Sequence, residues 1–80
     1  MESNISIVRD KILRHLYAYR EEPDMCTMGN IRKECGVSIT NFYRSIDVFI
    51  DRGWVKMSTK KRKNNLKYYL ITNDGVESIK

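Results

Sequence analysis

The chain has 80 residues, enough for one domain with a thin core but small for a closed catalytic pocket. With 41% hydrophobic and 31% charged residues, and no apolar run near the length of a membrane span, the composition excludes a membrane chain and a disordered one. The net charge of +5 is concentrated: Lys56, Lys60, Lys61, Arg62, Lys63 and Lys67 fall in one stretch free of acidic residues, while the rest of the chain carries nine basic side chains against ten acidic ones. Such a patch favours a polyanionic partner.

The opening Met1-Glu2-Ser3-Asn4 has neither the basic lead nor the apolar stretch of a secretory signal, so an intracellular, reducing setting is expected. From Ile5 to about Tyr19, the residues Ile5, Val8, Ile12, Leu16 and Tyr19 recur at steps of three and four, with Leu13 and Tyr17 widening the stripe. This predicts a one-sided, core-facing helix. Arg9, Asp10, Lys11 and Arg14 take its solvent face, and Pro23 stops it. His15 flanks the stripe and is expected to be packed or half-exposed, with no neighbour in sequence to activate it.

Met25-Cys26 reads as a brief strand, after which Thr27 caps a helix of about two turns that carries Met28, Ile31 and Cys35 on one side. Gly36 fits the left-handed position beyond its end, Ser38 caps the next helix, and Gly53 stops that one. On this third helix Phe42, Ile46, Phe49 and Ile50 are expected to share the core face. Trp54–Ser58 and Leu66–Ile71 read as strands joined by the polar stretch Thr59–Asn65, which makes a basic hairpin. Thr72 caps a last short helix containing Val76 and Ile79. Trp54, Phe42, Phe49 and Tyr69 are expected in the core, and Arg52 is expected to pair with Asp51 or another nearby carboxylate.

Cys26 and Cys35 match no zinc-site spacing. If they bracket one helix, a rise of about 1.5 Å per residue separates them by roughly 13 Å, far beyond disulfide reach. Small buried or half-buried thiols are the expectation. No Gly-rich phosphate loop, metal-ligand cluster or activated nucleophile stands in the sequence, so neither an enzyme nor a cofactor is expected.

Two parts of this arrangement match duplex DNA in size and charge. The major groove admits one α-helix, and a basic hairpin beside it reaches phosphates or the minor groove. The outward N-terminal residues of the third helix are Thr40, Asn41, Tyr43 and Arg44, all hydrogen-bonding types, with Ser38 just before them. With Lys60, Lys61, Arg62 and Lys63 at the hairpin tip, they form the expected DNA-binding set.

The run Thr27 to Val55, with Ile31, Cys35-Gly36-Val37-Ser38, Thr40, Arg44, Ile46, Phe49 and Arg52-Gly53-Trp54-Val55, resembles the core of winged helix-turn-helix transcription regulators of the MarR and PadR type. Lys67-Tyr68-Tyr69-Leu70-Ile71-Thr72-Asn73-Asp74-Gly75 resembles their third strand and the Tyr-x-Leu-Thr-x-x-Gly signature that opens their final helix. The resemblance implies an α+β winged-helix domain over residues 1–80, with the helix-turn-helix at about 27–52 and the wing at about 54–71. It also implies a sequence-specific double-stranded DNA-binding regulator in the cytoplasm, associated with the nucleoid. The long C-terminal dimerisation helix of those regulators has no counterpart after Gly75, as in the small winged-helix proteins of archaea and their viruses, whose setting would be the host cytoplasm. A Pro-x-Trp wing, the mark of Z-DNA readers, is missing.

A homodimer is expected, built on the first helix and the segment from Gly75 to Lys80, and no small-molecule ligand is expected. The rival expectation is a winged-helix module that binds protein or RNA instead, for which apolar outward residues on the third helix would be the mark.

Overall fold

The computed structural model describes residues 2–60 and 66–79, so Lys61, Arg62 and Lys63 of the expected site lie outside the described residues. Among the described residues the chain is α+β: four α-helices, one 3-10 turn and a two-stranded antiparallel hairpin. None of the helices is long and apolar enough to cross a membrane.

Helix α1 spans Glu2–Ala18. It starts before its apolar stripe because nothing in residues 2–4 breaks a helix, so backbone bonds extend it into a polar turn. Ile12, Leu13 and Leu16 are buried, and Val8 and Tyr19 pack against them.

Where a brief strand is expected at Met25-Cys26, a 3-10 turn runs Pro23–Cys26. The fixed φ of proline suits the first position of a helical turn, and the turn carries Cys26 inward, where its Sγ donates to Tyr19 O at 3.2 Å. Strand pairing passes instead to Thr27, which forms one antiparallel bridge with Tyr68. His15 is buried beneath this turn with Nε2 2.8 Å from Met25 O. A carbonyl only accepts, so Nε2 carries the proton.

Helix α2 spans Met28–Cys35, with the Thr27 hydroxyl accepting from Asn30 N. Gly36, at φ 64, turns the chain in the left-handed region. Helix α3 spans Ile39–Asp51, with the Ser38 hydroxyl accepting from Asn41 N at 3.2 Å. At its end Trp54 N donates to Phe49 O (2.8 Å) and Gly53 N to Ile50 O (3.0 Å). These two bonds form the paired C-terminal lock that needs a left-handed residue at position 53, where Gly53 has φ 75.

Strand β1 spans Val55–Lys60 and strand β2 Leu66–Ile71, in register from Val55↔Ile71 to Lys60↔Leu66. Thr59 and Lys60, expected in the loop, belong to the strand because each finds a partner, Lys67 and Leu66. Helix α4 spans Asn73–Ser78 and is capped by Thr72. Ile79 follows it as the C-cap rather than lying within it.

The core gathers Ile12, Leu13, Leu16, Cys26, Ile31, Val37, Phe42, Ile46, Phe49, Val55 and Tyr69, with Phe42 edge-on to Tyr69 at 5.4 Å between ring centres. Two expectations are corrected here. Ile50 is 42% exposed, because a turn of 100° per residue places it at the border of the buried face. Ser45 takes the inner position, three residues after Phe42 and four before Phe49, and is 2% exposed. Trp54 lies at the edge of the core, half-buried and stacked on Phe49 at 6.0 Å.

Candidate nucleic-acid interface

The interface expected from sequence rests on how α3 is held. Its apolar face packs against α1 and the hairpin, through Phe42, Ile46 and Phe49, so the opposite face is fixed outward. Thr40, Tyr43 and Arg44 are exposed on that outward face, while Asn41 is half-buried at its edge. The Tyr43 ring leans edge-on against Phe42 at 5.5 Å, which fixes its base and leaves the phenol in solvent. Ser38 is exposed but its oxygen is engaged as the helix cap. Its hydroxyl proton remains able to donate to a phosphate.

Four of the nine expected residues, Thr40, Asn41, Tyr43 and Arg44, thus lie together on the first turns of α3, with Ser38 at their head. Lys60 ends β1, and its side chain lies outside the described residues, as do Lys61, Arg62 and Lys63. Residues directly opposite each other in the hairpin share a face, so the register puts Lys56 on the face of Tyr68 and Leu70, and Lys67 on the other with Met57. The hairpin's positive charge is therefore spread over both faces. Lys56 and Lys67 are both exposed.

Three features of this surface escape the sequence reading. Arg32 and Lys33 line a surface cleft at the α2–α3 turn together with Ser38, adding cations beside the start of α3. Asp47 and Asp51 are exposed one turn apart on the outward side of its C-terminal half. The helix therefore changes sign along its length: its N-terminal half, with Arg44 and the free N–H groups of the first turn, is suited to anions, and its C-terminal half repels them. Finally, Arg52 places its guanidinium 5.0 Å from the Trp54 ring centre, a cation–π contact in place of the expected carboxylate pair.

Apolar side chains also reach solvent near this surface. Ile39 is 45% and Tyr43 45% exposed, and with Ile50 they follow one line along α3, while Met57 is exposed on β1. A helical wheel puts residues 39, 43 and 50 within about 40° of one another. The thiols are free: Cys26 is buried and Cys35 half-buried.

No protein-family model, no curated protein and no solved structure matches the chain.

Proposed function

We propose that this chain is a winged helix-turn-helix protein that binds double-stranded DNA as a sequence-specific transcription regulator. The observation that carries the reading is the shared exposed face of Thr40, Tyr43 and Arg44, on a helix capped at Ser38 and backed by the core. A helix held this way presents hydrogen-bonding groups to base edges in the major groove. The hairpin, with Lys56 and Lys67 exposed and more lysines in its connecting sequence, supplies a phosphate or minor-groove contact beside it.

A homodimer on inverted half-sites accompanies this reading, since one recognition helix covers few base pairs. Ile7 and Tyr17 on α1 are exposed apolar side chains and support α1 as the contact. Half-site centres about 34 Å apart, or a multiple of it, follow from two-fold symmetry.

The test is a salt titration of binding to duplex DNA. If a dimer neutralises about eight phosphates, log affinity falls against log salt with a slope near −7. Affinity independent of salt would refute the reading. Equal affinity for an RNA duplex would refute it too, since the narrow major groove of RNA does not admit a helix. Sedimentation showing monomer alone, free and on DNA, would remove the dimer and leave the rest standing.

A second reading, a protein-interaction module, draws on the Ile39, Tyr43 and Ile50 line. Ile50→Lys separates the two: it adds a cation to the outward edge of α3 and leaves DNA affinity unchanged or higher on the first reading. Loss of a protein partner with no DNA binding by the parent chain is the outcome of the second.

A further inference from the structure

Between α1 and α3 runs a narrow cleft lined by Val8 and Arg9 from one helix and Asn41, Arg44 and Ser45 from the other. Two of its five lining residues are arginines. The Nε of Arg9 is enclosed and has no hydrogen-bond partner among the described residues. Among the described residues no hydrogen bond or ion pair engages Arg44, and the neighbouring acid on α1, Asp10, is already paired with Arg14 at 2.9 Å.

Two arginines bordering one cleft raise its positive potential, and an enclosed N–H of a charged group without an acceptor opposes folding. An anion with more than one oxygen, placed across the mouth of the cleft, suits a pair of arginines there, because each planar fork donates to oxygens of that kind. The volume narrows the choice of ligand: about 30 Å³ is roughly the share of one water molecule in the liquid. It takes an oxygen of a phosphodiester and excludes a nucleobase. The cleft also lies on the α1 flank of the N-terminal half of α3, beside Asn41 and away from the acidic Asp47 and Asp51.

We infer that Arg9 and Arg44 form a clamp for one backbone phosphate of the bound duplex, leaving Thr40 and Tyr43 to face base edges. The inference rests on the DNA-binding reading and adds to it a residue of α1. It also reassigns Arg44, whose residue type and place on the third helix otherwise suggest a bidentate contact with guanine. The stem of Arg9 packs in the α1–α3 contact, and its terminal nitrogens, on a half-exposed side chain, are the ones presented to the phosphate.

The experiment uses Arg9→Met and Arg44→Met, which keep an unbranched stem and remove the fork. Each is measured on a preferred and a random duplex at two salt concentrations, with thermal unfolding alongside. Both variants should lose affinity by about tenfold on both duplexes, with the salt slope shallower by about one unit. Arg9→Met should unfold at no lower temperature than the parent, since it deletes an unpaired enclosed donor. A single neutral methylphosphonate linkage, moved along the duplex, provides a measurement on the parent protein that needs no folded variant. One linkage should weaken parent binding, and the same linkage should be silent for either variant that folds.

A loss confined to the preferred duplex for Arg44→Met, or unchanged affinity and slope for Arg9→Met, would overturn the clamp while DNA binding stands. Uniform indifference of the parent to all linkages on the α1 flank would do the same. A parent protein that binds no duplex at all overturns the clamp together with the function it rests on.

Discussion

Arg32 and Val37 hold each other twice: Val37 N donates to Arg32 O at 3.2 Å, and Arg32 Nε donates back to Val37 O at 3.1 Å. Arg32 O also receives the N–H of Gly36, so one carbonyl closes α2 while the side chain of the same residue closes the turn into α3. The start of α3 follows one residue later, at Ser38. The direction in which Thr40, Tyr43 and Arg44 emerge is thereby tied to a residue on the preceding helix.

Arg32→Met should therefore act on the turn. It keeps most of the stem and removes one charge-assisted bond to a half-buried carbonyl, which is worth about 1.5–3 kcal/mol at most and less where water replaces it. Urea unfolding should show a loss of about 1 kcal/mol, and amide exchange should quicken at Val37 and at the first turn of α3. Exchange that quickens evenly over the whole chain would mean that Arg32 acts through global stability rather than by holding the turn.

Gly75 is required by space rather than by backbone angle. A Cβ there would overlap Trp54 O and lie 2.7 Å from Ile71 Cγ1. The approach is set by Thr72, whose hydroxyl accepts from Gly75 N at 3.1 Å and donates to Gly53 O at 2.7 Å, fastening α4 to the end of α3. Gly75→Ala should cost about 1–3 kcal/mol as overpacking against backbone that has little room to yield. Gly29, whose added Cβ meets nothing within 4 Å, is the control: Gly29→Ala lies inside α2 and should stabilise. Equal effects of the two substitutions would refute the account.

Much of this framework is legible in the sequence because its signals are local. Thr27, Ser38 and Thr72 each cap the helix expected of them, and Gly36 and Gly53 each take the left-handed position beyond a helix end. Those outcomes depend on a residue and its near neighbours. The features that escape are set by partners distant in sequence. Met25-Cys26 reads as strand from its residue types, but the turn is decided by burying Cys26 against Tyr19 and His15 against Met25. Helical spacing puts Ile50 only at the border of the buried face, so whether it is covered depends on how α1 crosses α3. Arg9 reads as solvent face for the same reason, although its Nε is enclosed. Of the expected DNA-binding set, the α3 cluster follows from helical spacing, whereas the split of hairpin lysines over two faces follows from register.

Stability should fall in alkaline solution, because two buried acids and a half-buried one, Cys26, Tyr69 and Cys35, are held neutral. Burial pushes the Cys26 thiol above its ordinary 9.0, helped by the charge of Glu22. Burial raises the Cys35 thiol as well, with Lys11 opposing and Glu34 adding to it. The Tyr69 phenol is raised above 10.0 by burial, then by Tyr43 and Asp47. In the unfolded chain these groups ionise at their ordinary values, so as pH climbs past about 9 the unfolded state loses protons first and gains on the folded one. Their contribution is complete below pH 8 and is lost progressively as pH rises toward the folded values. Urea midpoints at pH 7.5, 9 and 10.5 should fall in that order, and Cys26→Ala should flatten the first part of the decline. A midpoint constant across the range would contradict it.

The acidic end of α3 gives the last prediction. Asp47 follows Tyr43 by one turn and Asp51 follows Asp47 by another, all three exposed, so any duplex docked on Thr40 and Tyr43 brings phosphates or base edges near Asp47. A unit charge about 8 Å from a phosphate in water opposes it by about 0.5 kcal/mol, roughly a twofold loss of affinity. Asp47→Asn should thus raise affinity about twofold on every duplex at low salt. The gain should vanish near 1 M salt, where the screening length is about 3 Å. A carboxylate can instead accept from the amino group of cytosine, and Asp47 would then be part of the reading surface. In that case Asp47→Asn lowers affinity for the preferred duplex and relaxes discrimination at one base pair. Measuring the variant on preferred and random duplexes at both salt concentrations decides between the two. A uniform, salt-sensitive gain makes Asp47 the boundary of the DNA-facing half of α3, and a loss restricted to the preferred duplex extends that half by a full turn.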